Sequence, residues 1–225
     1  MPGGEIVKSS REVPVLLRKY RQPLYDEEKV GAGVATASMT LFAKRRGETD
    51  AANHTKTTRD TNMTQSGALG SKQEFYFVGI NVKLDWSICV VDLASAVPNN
   101  VSNELYVIEQ ILNDSLFSFT FGRQQPLLEI PMDQIPAGVG PAGDISTNYT
   151  IGTAAIAHII NNGVPSCREF YDVRLRKNRP RHIQRDQAFT VDIAWLNDNI
   201  TLSSSSLDAY YRIMVYLLGI LLSNL

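Results

Sequence analysis

The chain has 225 residues and a mass of 25.0 kDa, with 44% hydrophobic and 20% charged residues. That composition excludes a chain-wide disordered protein, and the length suits one large β domain better than two small ones. A formal net charge of −1 excludes a general attraction to polyanions, so any contact with nucleic acid or lipid headgroups has to come from local patches.

Two such patches exist. Residues 1–25 carry five basic residues against two acidic ones, and residues 172–186 carry six against two. The N-terminus, MPGGEIVKSSREVPVLL, has no apolar h-region, so no secretory signal is expected. Six N-x-S/T sequons, at Asn53, Asn62, Asn100, Asn113, Asn148 and Asn199, then reflect a chain rich in Asn, Ser and Thr.

In chain order, residues 1–33 read as an N-terminal arm broken by Pro and Gly, within which VPVLLRKY can pair as a short edge strand. The rest, 34–225, is expected to be one β-sandwich domain. VATASMTLFAKRR, 34–46, is β-capable and ends in a basic cluster. Residues 47–72 are polar and predict an extended surface loop. In EFYFVGINVKLDW, Tyr76, Val78, Ile80, Val82, Leu84 and Trp86 recur at period two, which predicts one long half-buried strand.

NVSNELYVIEQILND, 100–114, predicts a helix from Val101, Leu105, Ile108 and Leu112, capped by Asn100 or Ser102. LFSFTFG then predicts a strand with Phe117, Phe119 and Phe121 on one face. PLLEIPMDQIPAGVGPAGD predicts a short strand followed by a Pro/Gly loop at 136–143. Residues 146–161 are ambiguous between helix and strand. FYDVRLR, 170–176, alternates like a strand, and QAFTVDIAW places Phe189, Val191, Ile193 and Trp195 on one face. The closing YYRIMVYLLGILL alternates first and becomes apolar on both faces, as a strand covered on both sides would. Ten apolar residues at 213–222 are too few for a membrane-spanning helix. Eight to ten strands, one helix and no βα alternation predict an all-β sandwich.

No catalytic constellation emerges. His54, His158 and His182 lack metal-ligand spacing, and no cofactor or nucleotide motif is present. Glu129 and Asp133 read as solvated carboxylates at a strand edge. Cys89 and Cys167 read as two buried thiols, with a single disulfide left open. The chain is therefore read as a non-enzyme without catalytic, cofactor-binding or metal-binding residues. The densest charge feature, RLRKNRPRHIQR, is read either as a solvated loop or as a contact strip. The candidate interface residues are Arg18, Lys19 and Arg21 in the arm, with Arg174, Arg176, Lys177, Arg179, Arg181 and Arg185 in the strip.

The stretches TRDTNMTQSGALGSKQEFYFVGINVKL and RPRHIQRDQAFTVDIAW resemble jelly-roll capsid proteins of tailless icosahedral bacteriophages and related viruses. In that family a polar loop with an Asn-Met element and a Gly-Leu step leads into a long aromatic strand, as from Thr61 to Phe77. A later strand with the F-x-V-x-I pattern follows a Pro-plus-apolar element, as from Pro180 to Ile193. The resemblance implies a single jelly-roll β-sandwich that self-assembles into an icosahedral viral shell, hence a virion protein made in the host cytoplasm. Its implied partners are copies of itself and other capsid proteins, with packaged nucleic acid or an internal membrane reached through the basic segments. At this length one roll is expected, not the double roll of many membrane-containing phages. The competing expectation is a β-sandwich binding module for host attachment or carbohydrate recognition. Such a module would expose aromatic side chains at one loop end, whereas Trp86 and Trp195 fall on apolar strand faces.

Overall fold

The fold is given by a computed structural model. It describes residues 5–8, 14–20, 22–31, 35–50, 53–90, 111–122, 126–137, 156–161, 168–174, 179–196, 200–201 and 210–224, with side chains at 22–30, 35–50, 53–84, 111–122, 126–137, 168–174, 179–196 and 212–223. The described residues are predominantly β, and the strands that assemble the core lie in two antiparallel sheets.

The larger sheet is built around β14 (Tyr210–Asn224) and β6 (Gln73–Val90), paired antiparallel along almost their whole length. On the far side of β14 lie β3 (Leu24–Gly31) and β2 (Pro14–Tyr20), with β1 (Glu5–Lys8) beyond β2. On the far side of β6 lie three short partners: β9 (Ile156–Asn161), β10 (Tyr171–Asp172) and β11 (Arg181–Ile183). The smaller sheet runs β5 (Ser38–Leu41), β12 (Phe189–Trp195), β7 (Ser115–Phe121), β8 (Leu128–Pro131). A two-residue pair, β4 (Ala35–Thr36) with β13 (Ile200–Thr201), lies apart from both.

The sheets face one another across an aromatic core. Phe77 of β6 meets Phe119 of β7 at 5.3 Å between ring centres, tilted by 58°, and Phe119 in turn contacts Phe189 of β12. Alternation decides which side chains enter. In β12 the residues Phe189, Val191, Ile193 and Trp195 are buried while Thr190, Asp192 and Ala194 are partly exposed, as the sequence predicts. In β7, Phe117 and Phe119 are fully buried and Phe121 is half-buried.

The long strand β6 departs from the simple period-two expectation. Leu218 pairs with Gly79 and the next residue, Gly219, pairs with Phe77, so Val78 is the extra residue of a β-bulge. The bulge reverses the phase of the strand. Phe75 and Phe77 point into the core before it, and Ile80, Val82 and Leu84 after it, while Tyr76 and Val78 are only half-buried. Residues 75–80 are apolar on both faces, so a stripe drawn through Tyr76 and Val78 joins two faces of the strand.

Three further expectations are corrected. The segment read as a 1–33 arm includes β3, an integral strand with Leu24 and Val30 in the core. The polar loop at 47–72 is not simply a surface excursion, because Lys56, Thr61, Met63 and Leu69 are buried against the body of the domain. FYDVRLR is a strand only at Tyr171–Asp172 within its described residues, although Val173 is buried. Of the helix expected over 100–114, residues 111–113 are helical and 100–110 lie outside the described residues. Residues 146–155 of the ambiguous stretch also lie outside them, whereas Ile156–Asn161 is strand.

Candidate functional site

The basic strip follows β10. Asp172 accepts from the Arg174 backbone N–H at 3.0 Å and from its guanidinium Nε at 2.8 Å, with Nη2 closing a second contact. These bonds hold the Asp172 carboxyl below its ordinary range, and Arg174 is already charge-compensated within the chain. Arg181 opens β11 and donates from Nε to the Val173 carbonyl at 3.0 Å, tying the start of β11 back to the residue after β10. Arg185 donates from Nε to Glu74 Oε1 at 3.0 Å, while His182 Nε2 lies 3.3 Å from Glu74 Oε2. The His182 ring also stacks on Tyr76 at 4.2 Å and 5°. Arg179 is exposed. Arg176 and Lys177 lie outside the described residues. Among the described residues of the strip, Arg181–Ile183 pair along the outer edge of β6, and Arg174 and Arg185 are each set against a carboxylate of this chain.

Of the arm candidates, Arg18 and Lys19 stand on β2, opposite Ser223 and Leu222 of β14. Arg21 lies outside the described residues. The arm and strip residues thus attach to opposite sides of the β14–β6 pair.

Beside the strip is a cleft of about 170 Å³. Phe77, Phe119, Leu127 and Leu128 line its apolar part, and Arg174 and Arg181 line it too. Leu127 (36% exposed) and Leu196 (66%) are the large hydrophobic side chains most open to solvent among the described residues. Glu129 and Asp133 are both exposed, in keeping with solvated carboxylates.

The most unusual electrostatic feature escaped sequence reading. Three consecutive acids of β3, Asp26, Glu27 and Glu28, are 0%, 2% and 6% exposed. Asp26 and Glu28 stand opposite Val215 and Ile213 and share the core side of the strand. Lys56, 1% exposed, reaches both oxygens of Asp26 at 2.8 Å and Glu28 Oε1 at 2.7 Å. Asp26 Oδ2 also accepts from the Phe42 backbone N–H at 2.6 Å, fixing a residue held at φ 63° just after β5. Burial pushes the carboxyls of Asp26 and Glu28 up, against the pull of Lys56. Burial also works against the Lys56 charge, but the two carboxylates outweigh it and raise its pKa. The signal that could have found this group is the i, i+2 placement of Asp26 and Glu28 in a short β-capable run. Its partner Lys56 is thirty residues away in a loop that looks solvated.

The 53–70 segment holds this arrangement in place by docking along β3. Asn62 accepts from the Tyr25 backbone N–H at 3.0 Å and donates from Nδ2 to the Pro23 carbonyl at 2.8 Å, and Asp26 bridges to Thr61. The edge of β3 is thereby covered. On the other side of the sheet, buried Asn81 donates to the carbonyls of Pro136 and Glu169 at 3.1 and 2.7 Å, pinning two loops to β6.

Among the described residues no group of three His, Cys, Asp or Glu side chains is arranged to hold a metal ion. Among them, too, no helix is long and apolar enough to cross a membrane. No protein-family model, curated protein or solved structure matches the chain.

Proposed function

We propose that the chain is a structural capsid protein, a single jelly-roll β-sandwich that assembles with copies of itself and other capsid proteins into an icosahedral viral shell, with a bacteriophage as the expected source. The observation that carries this reading is the nesting of the strand pairs. The first main strand, β3, pairs with the last, β14; β5 pairs with β12; β6 pairs with β9, β10 and β11; and β7 pairs with β8. Nested antiparallel pairs are what results when one long hairpin is rolled so that its arms alternate between two facing sheets. That winding is the jelly roll, an architecture used by capsid, lectin and cupin domains.

Within that group, the shell reading is favoured by what the chain adds to the nested pairs. The β1–β2 pair extends the larger sheet past β14, and among the described residues β1 pairs with β2 alone. A strand in that position is a template for pairing with a neighbouring subunit. Repeated heterologous contacts of this kind close into rings and shells. A carbohydrate-binding module would present tryptophan to solvent, whereas Trp195 is buried in the core. The basic segments would then face neighbours, packaged nucleic acid or an internal membrane, and the mature protein would reside in the virion.

Light scattering of the purified chain across a concentration series tests the reading. The expected result is cooperative growth to particles of one size. A species that stays monomeric at every concentration counts against it.

A further inference from the structure

The core side of β3 engages Lys56 with two carboxylates, and the opposite side of the same strand buries a third. Glu27 is 2% exposed, and neither of its carboxylate oxygens accepts a hydrogen bond. Arg212 of β14 brings Nε to 3.3 Å from Glu27 Oε1, an ion-pair distance. The other charged groups facing Glu27 are Lys29 on its own strand and Arg59 and Asp60 on the loop docked over β3. Asp85 of β6 stands opposite Arg212 in register, and His54 lies 3.8 Å from Asp60. On the core side lie Asp26, Glu28, Lys56 and, electrostatically linked to Glu28, Asp50.

This is an unusual load for one strand. All eight of its residues pair with β14, and its other edge is covered by the 53–70 segment through Thr61 and Asn62. A buried carboxylate without hydrogen bonds is costly when ionised and far less so when it holds a proton.

We propose that Glu27 is a proton-operated latch on β3: protonated, it rests in its closed seat and the strand stays clamped to β14; ionised, it favours a state in which β3 and the loop docked on it open toward solvent. Burial, only partly offset by Arg212, lifts its carboxyl to about 7, which sets the working range near neutrality. The sign follows from linkage. A carboxyl with a raised pKa in the closed state favours closure at low pH, and that preference fades as pH rises through the closed-state value. The latch belongs to the single subunit and does not depend on shell assembly.

Hydrogen exchange of the backbone amides of residues 24–31, corrected for intrinsic rate, tests it at about pH 6 and about pH 8.5. For a carboxyl near 7 that regains its ordinary value on opening, the opening constant rises about tenfold over that interval. Glu27→Gln, which mimics the protonated side chain, should exchange slowly at both pH values. A second readout on the unmodified protein is a carbon-13 titration of the Glu27 carboxyl, expected to show a midpoint near neutrality. Equal exchange at both pH values, a Gln variant that keeps the tenfold rise, or a carboxyl midpoint in the ordinary glutamate range would each overturn the proposal.

Discussion

Lys56 Nζ sits 2.8 Å from both carboxylate oxygens of Asp26, and both side chains are closed off from solvent. The pair joins a polar loop to the first strand of the nested set, and through Asp26 it also holds the amide of Phe42 at the end of β5. One buried cation thus links three segments that are distant in sequence.

Replacing it should be expensive. Lys56→Met leaves Asp26 and Glu28 buried beside each other with no cation. Breaking a buried ion pair by deleting one partner typically costs about 3–5 kcal/mol. Urea denaturation should show a loss of that order, smaller in mildly acidic buffer, where the orphaned carboxyls can take up protons. A loss under about 1 kcal/mol at neutral pH would mean the network contributes little.

Two glycines of the β6–β14 pair, Gly79 and Gly219, should respond differently to alanine. A Cβ on Gly219 would stand 2.3 Å from the Tyr76 carbonyl oxygen and 2.8 Å from Phe77 Cα, so it meets backbone at the bulge. The three atoms nearest a Cβ on Gly79 all belong to the Phe170 ring, the closest at 1.9 Å, and that half-buried side chain can swing away. Overpacking costs about 1–3 kcal/mol where neighbours can give. Gly219→Ala should exceed that range or shift the β6–β14 register, while Gly79→Ala should stay within it. Thermal melts of the two variants decide the order.

Global stability should depend on pH in the direction set by β3. The Glu27 carboxyl lies at about 7 in the folded chain against an ordinary 4.5. Its contribution is fully present below the ordinary value and is lost as pH rises through about 7. Between about pH 6 and pH 8.5 this amounts to about 1.4 kcal/mol, equivalent to a tenfold change in the unfolding constant. Denaturation midpoints should fall over that interval in the unmodified chain and stay level in Glu27→Gln.

The sandwich was legible where one face of a strand is apolar and the other polar, as at Phe189–Trp195. It was obscured where both faces are apolar. In β6 the run from Phe75 to Ile80 offers two superposed stripes, and pattern alone cannot reveal that Val78 is inserted between them. The buried charges were hidden for a different reason. Asp26, Glu27 and Glu28 fall in the stretch read as an arm and Lys56 in the one read as a surface loop, and their burial comes from that loop docking on β3, a tertiary event without local signature. The basic strip was legible as charge. Its internal neutralisation, with Asp172 against Arg174 and Glu74 against Arg185, depends on side-chain geometry that composition does not encode.

Truncation separates the arm from the body. Removing residues 1–13 deletes β1 and leaves β2 and β3 intact, so the β-rich circular dichroism should persist while assembly weakens. Removing residues 1–31 deletes β3 and with it Leu24, Val30 and the Lys56 network, and should abolish folding. If the shorter truncation also unfolds the chain, β1 belongs to the core; if it assembles normally, the sheet edge is not the contact.

Electron cryomicroscopy of the protein at assembly concentration tests the central claim most directly. The expected result is a closed shell of icosahedral symmetry whose subunits show two facing sheets, with β3 beside β14 and β5 beside β12. A dilution-resistant monomer that binds glycans, with no ordered particles at any concentration, would contradict it.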